Sequence, residues 1–192
     1  MQKSISIEKP KLIIGEGREE KILFSALLKF LNLDDIQVES YEGKDNLGKF
    51  LKTLHLIPGY QQLKSLGITR DADDSFISAL TSIQNFIQKS NLNTNNLKID
   101  IFIMPDHSSS GMLEDLCLAS IQADEIQCAE AFLDCISACS QRRPKNRAKA
   151  KIHAWLASQI NPGQRLGEAA QSGYLNWENQ AFQQLRAFIE NL

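Results

Sequence analysis

No apolar run in this 192-residue chain approaches the roughly 20 residues a membrane span requires. The opening segment MQKSISIEKP has no apolar stretch of signal-peptide length either. Neither sign of charge dominates: 21 Lys and Arg against 23 Asp and Glu leave a formal net charge of −2, so no global field draws the chain to nucleic acid and local patches must do so. Cysteine is scarce, and Cys117, Cys128, Cys135 and Cys139 lack the close paired spacing of a zinc knuckle. The last three recur at helical intervals and read as thiols of a core face, with a metal pair at Cys135 and Cys139 as the other reading. There is no internal repeat and no low-complexity tract. These absences predict a soluble, cytoplasmic chain in a reducing compartment, with no membrane partner and a core large enough to need no crosslinks.

What is present is an alternation of short apolar runs and amphipathic stretches. Lys11 to Gly15 (KLIIG), Ile36 to Tyr41 (IQVESY), the SLGITR run from Ser65 and Ile99 to Met104 (IDIFIM) read as strands buried on both faces. Helical spacing fills the intervals, over 18–31, 47–56 and 75–89. The polar stretch 90–96 reads as an Asn-rich loop, and His107 to Gly111 as a loop reaching over the sheet edge. From Gln127 onward every pattern is helical, over 127–141, 146–159 and 179–192. Strands alternating with helices predict a parallel α/β sheet of about four strands, covered on both faces, with an all-helical C-terminal extension. The division falls at 1–125 for the α/β core and 126–192 for helices packed on that same core.

Acids collect where the strands end. Glu16 follows the first strand with Glu20 one helical turn on, Glu42 and Asp45 follow the second, Asp71, Asp73 and Asp74 the third, and Glu114 and Asp115 come after the fourth. In a parallel sheet these ends share one edge, where ligands of open α/β folds bind. In an extended chain Asp71 and Asp73 share a side and would face one cation, while Asp74 points elsewhere or caps the next helix. The plainer reading is turn and cap chemistry, and for Glu16 a favourable place at a helix N-terminus. So many carboxylates repel one another unless a cation offsets them. An oxygen-only set favours Mg²⁺, Mn²⁺ or Ca²⁺ over zinc.

Glu16-Gly17 after a first strand and Asp71-Ala72-Asp73 after a third resemble the two acidic motifs of the Toprim domain, found in primases, topoisomerases and OLD-type nucleases. The turn Glu42-Gly43-Lys44-Asp45-Asn46-Leu47 and the stretch Ser110-Gly111-Met112-Leu113-Glu114 are similar to later motifs of the OLD-type branch, and to a small bacterial Toprim-like family of uncharacterised function. The resemblance covers residues 11 to 120. It implies a Mg²⁺ (or Mn²⁺) site on Glu16, Asp71 and Asp73, with Glu20 and Glu114 helping to hold a second ion. It departs from the nucleases in having no G-x-x-x-x-G-K-[ST] loop, so an ATPase would have to be a separate partner.

The segment QRRPKNRAKAKIH carries Arg142, Arg143, Lys145, Arg147, Lys149 and Lys151 and no acid. One reading is a solvated helix face. In the other, Ala148, Ile152, Trp155 and Leu156 are buried, Lys149 sits at the margin of that stripe, and Arg147 and Lys151 face outward. Lys149 is then the candidate catalytic lysine by resemblance. Lys44, Arg142, Arg143, Arg147 and Lys151 would hold nucleic-acid phosphates without reading bases. His107 is in a suitable loop for a site, though a lone loop histidine is usually just exposed; Trp155 and Trp177 read as core. The expected function is metal-dependent phosphodiester hydrolysis or phosphotransfer. The alternatives are a metal- or phosphate-binding accessory module working beside an ATPase or nucleic-acid enzyme, and a purely structural relic of the fold.

Overall fold

The computed structural model describes residues 5–90, 92 and 96–192. Most of the Asn-rich loop and the first residues of the opening segment lie outside the described residues. Strands β1 (Lys11–Gly15), β2 (Ile36–Ser40), β3 (Ser65–Asp71) and β4 (Lys98–Met104) form one four-stranded sheet in the order β2-β1-β3-β4. Every pairing is parallel, with Ile14 level with Glu39 on one side and Ile68 on the other.

Strand side chains alternate between two cores, which is why these runs are continuously apolar. Leu12, Ile14, Leu66, Ile68 and Ile103 lie in one core with α2 (Leu47–Thr53) and α3 (Phe76–Gln88). Ile13, Phe102 and Met104 lie in the other, with α1 (Arg18–Phe30) and α4 (Leu113–Ala119). The helices α5 (Ala123–Ser140), α6 (Arg147–Ala157), α7 (Leu166–Gln171) and α8 (Gln183–Glu190) follow. Ile152, Trp155, Leu156, Leu166, Leu185 and Ile189 carry α6 to α8 into the core of Ile13. The boundary drawn from the sequence at 125 falls inside α5. Among the described residues no helix is long and apolar enough to cross a membrane.

The chain leaves β1 toward β2 and leaves β3 toward β4, in opposite directions across the sheet, and α1 packs on the opposite face from α2 and α3. The ends of β1 and β3 are neighbours, so the reversal opens a crevice between them.

The structure corrects the sequence reading at three places. Of the four cysteines only Cys117 is buried, whereas Cys128, Cys135 and Cys139 are exposed, because α5 turns Ile126, Ala129 and Leu133 inward instead. The cap of α3 is Ser75, whose hydroxyl accepts from the Ser78 amide, and not Asp74. Helix α7 had no signal strong enough to read, being one short turn-and-a-half between Gly163 and Gly173.

Candidate metal centre

Glu16 stands where β1 ends, and Gly17 caps α1 behind it. Glu20, in the first turn, reaches back so that its Oε2 accepts the Gly17 amide at 2.8 Å. Gly15 makes room for this: a Cβ there would come within 2.9 Å of the Glu20 Cβ and 3.1 Å of Oε2. Glu20 is only 5% exposed, and its Oε1 is buried with no hydrogen-bond partner. Burial, then the negative charge of Asp71, push the Glu20 carboxyl well above its ordinary range. An unpaired buried carboxylate oxygen costs free energy that an uncharged, satisfied residue would not.

Asp71 closes β3, and its Oδ1 accepts the Leu113 amide at 2.9 Å, at the start of α4. Burial raises it to about 7 against that hydrogen bond, and Glu114, Glu16 and Asp73 push the same way. Asp73 is not extended as the i, i+2 argument required. Its φ is +51°, a left-handed turn that Asp tolerates, and its backbone exchanges hydrogen bonds with Gly111 at 2.9 and 2.8 Å. The bridge to Gly111, not the pleat, brings the carboxylate to the crevice, where Oδ2 lies 3.4 Å from the Lys44 ammonium. Glu16 is raised by burial and then by Asp73, with Arg70 and Lys44 opposing. Glu114 sits in the first turn of α4, its Oε1 3.8 Å from Lys149 Nζ.

Glu16, Glu20, Asp71, Asp73 and Glu114 thus lie along the same strand-end edge, each felt electrostatically by at least one other. Among the described residues no group of three or more acid, His or Cys side chains is arranged to hold a metal ion. Asp115 is spent on the Met112 amide at 2.9 Å, and the exposed Glu42 and Asp45 border the crevice without entering this set. Beneath it, the Tyr41 hydroxyl donates to the Thr69 carbonyl at 2.9 Å, and the Thr69 hydroxyl to the Ile14 carbonyl at 3.2 Å. These bonds tie the floor of the crevice across β1 and β3.

Two features escaped the sequence reading. Arg70 is a cation close enough to oppose the rise at Glu16, with Nη1 donating to Ser82 at 3.0 Å and Nε buried and unpaired. Beside Tyr41 and Glu42 runs a groove of about 740 Å³ that Arg18, Lys21, Lys49 and Phe50 also line. That size admits a nucleotide-scale ligand. The outward orientation expected of Lys151 is corrected, while Arg147 is exposed as expected but ion-paired. Arg147 lies 2.6 Å from Asp134 and 3.7 Å from Glu130, and Lys151 lies 3.2 Å from Glu130, so both turn to α5. Arg142 and Arg143 are exposed in the α5–α6 connection. His107 is fixed structurally: its Nδ1 accepts the Ile103 amide at 3.1 Å, and its ring stacks on Phe102 and meets the edge of Phe76.

Residues 10–192 match the family described as "Protein of unknown function (DUF3226)". The chain belongs to this family. No curated protein matches it. Among solved structures, the C-terminal region of the OLD protein of Xanthomonas campestris pv. campestris aligns over 96% of this chain and 98% of its own, at 14% identity and a TM-score of 0.36. That likeness is too loose to place any residue of the DUF3226 site.

Proposed function

We propose that this DUF3226 protein is a Toprim-like, divalent-metal-binding protein whose chemistry is metal-dependent phosphodiester hydrolysis or phosphotransfer on nucleic acid. The observation that carries the reading is Glu20 Oε1, buried and unpaired in a set of acids that raise one another's pKa. Such a set has the donor chemistry of a Mg²⁺ or Mn²⁺ site, all oxygen and over-negative without its ion. Glu16, Asp71 and Asp73 would hold the first ion, with Glu20 and Glu114 serving a second. An ion held there supplies positive charge to phosphoryl oxygens and to an attacking water.

The chain's own residues do the rest. The Leu113 amide fixes one oxygen of Asp71, leaving the other for the crevice. Lys44 and Lys149, each half-exposed beside Asp73 and Glu114, would meet a phosphate that enters, and Lys149 would offset charge that develops during reaction. Arg18 and Lys49 in the adjoining groove are better placed for a phosphate chain than Arg147 and Lys151, which α5 already neutralises. The residue pattern at Glu16-Gly17 and Asp71-Ala72-Asp73 supports the same reading by resemblance. A cytoplasmic setting and a separate ATPase partner belong to this proposal too.

The test is Mn²⁺-supported cleavage of single-stranded, nicked and supercoiled DNA by the purified protein, with Asp71→Asn as the blank. Cleavage by the wild type alone, depressed more than binding by Lys149→Ala, is the expected result. Metal and DNA binding without cleavage would move the protein to the accessory-module reading. Equal traces in wild type and blank would reject the catalytic one.

A further inference from the structure

Helix α5 hides one side and shows another. Ile126, Ala129, Leu133 and Ser137 turn toward the fold, and the helix packs on α6. On the other side Cys128, Phe132, Cys135 and Cys139 are all exposed, Phe132 by 56%, and Ile136 flanks them at 49%, with Cys128 and Phe132 bordering a groove against Trp155 and Ser158 of α6. The spacing of those four is four, three and four residues, the repeat of a two-helix seam. At about 100° per residue they fall within an arc of about 60°, and the stripe is about 16 Å long. Such a stripe, apolar and outward on a long helix, is an interaction surface in search of a partner.

The charges around the stripe say which partner. Helix α5 holds Asp124, Glu125, Glu130 and Asp134 and no basic residue, while Arg142, Arg143 and Lys145 follow directly. Glu130 and Asp134 are matched by Arg147 and Lys151. Arg142, Arg143 and Lys145 pair with no carboxylate among the described residues. The surface is thus acidic at the start of the stripe and basic just past its end. A copy of itself, turned end for end, complements it.

We propose that the chain forms a two-fold symmetric dimer through antiparallel packing of α5 on α5 of a second copy. The register follows from the stripe. Phe132 of each copy lies against Cys135 of the other and Cys128 against Cys139, which brings Asp124 to the end where Arg142, Arg143 and Lys145 leave the partner's helix; Glu125 is held by the Trp155 indole of its own chain and takes no part. A parallel pair would set Asp124 on Asp124 and Arg143 on Arg143, which costs what the antiparallel pair gains. A two-fold contact of this kind is self-complementary and closed, so association stops at two. The seam is short and belongs to the small class of interfaces, so the dimer dissociates in the micromolar range.

Sedimentation of the purified chain under reducing conditions tests this. The wild type is expected to pass from monomer to dimer between about 1 and 500 µM, and Phe132→Glu to weaken dimerisation at least about tenfold, with unchanged melting since Phe132 is exposed. Asp124→Arg weakens the dimer and the added Arg143→Asp restores it, a rescue that no simple loss of stability imitates. Register is read by trapping with diamide. Two thiols give up two protons and two electrons to the diazene, which becomes the hydrazine, and one disulfide forms. Trapping must fail in Cys128→Ser and in Cys139→Ser and persist in Cys135→Ser. A chain that stays monomeric throughout, or a dimer indifferent to Phe132→Glu, would overturn the proposal. A disulfide joining Cys128 to Cys128 would overturn its antiparallel register.

Discussion

The strand-end crevice and the α5–α6 hairpin hold the same kinds of side chain and treat them oppositely. On the hairpin, Glu130 and Asp134 lie in solvent against Arg147 and Lys151, each charge met by its opposite. In the crevice, Glu20 and Asp71 are buried among other acids, with Lys44, Lys149 and Arg70 only at the margins or against Glu16. Exposed pairs contribute little to stability, and buried like charges cost a good deal. A fold that neutralises carboxylates where it matters least, and crowds them where it costs most, fits the metal site proposed above.

The largest effect expected from breaking that contrast is at Glu20. Glu20→Gln keeps an oxygen for the Gly17 amide and removes the buried acid. In EDTA at neutral pH it should stabilise the protein by about 1–3 kcal/mol in urea unfolding. Glu20→Ala also loses the amide's partner and leaves a void, and should not share that gain.

Next comes pH. Asp71 has its carboxyl raised from 3.8 to about 7, and Glu20 is raised as well. Between those values the folded state holds protons that the unfolded chain has released. Their contribution to stability is full below the unfolded pKa and is lost as pH rises through the folded one. The EDTA-treated protein should therefore lose stability from about pH 4 to about pH 7 by way of Asp71, with Glu20 acting in the same direction. Asp71→Asn should flatten that slope when urea midpoints are compared across the range.

At neutral pH Asp71→Asn should itself stabilise the metal-free protein by about 1 kcal/mol, since Asn keeps an oxygen for the Leu113 amide. The smallest effect belongs to the hairpin. Arg147→Ala should leave the urea midpoint almost unchanged, and added salt should remove any difference that remains.

Much of this contrast could be read from the chain. KLIIG, SLGITR and IDIFIM are strands because nothing but a doubly covered sheet hides such runs, and the acids after them had to share an edge. What periodicity could not settle was sidedness. Helix α5 has two apolar stripes, and only the packing on α6 decides that Ala129 goes in and Cys128, Cys135 and Cys139 stay out. Helix α7 was missed because its tolerance for Gly167 comes from outside itself: a Cβ there would meet the Ile22 Cβ at 2.9 Å and the Glu19 carbonyl at 3.0 Å. Asp73 reached the crevice by a turn and a bridge to Gly111, residues distant in sequence. Arg70 looked like part of a strand, and only the approach of β1's end makes it a neighbour of Glu16. The acids were legible from local pattern, as were Lys44 and Lys149 beside them, while Arg70 was not.

The most direct test of the central claim is the melting temperature of the wild type and of Asp71→Asn, first in EDTA and then with increasing Mg²⁺ or Mn²⁺. A ion that binds only the folded state raises the melting temperature progressively with its concentration. The account predicts such a rise for the wild type and a much smaller one for Asp71→Asn, which starts from the higher value in EDTA. No divalent-dependent rise in the wild type, or the same rise in both proteins, would contradict it.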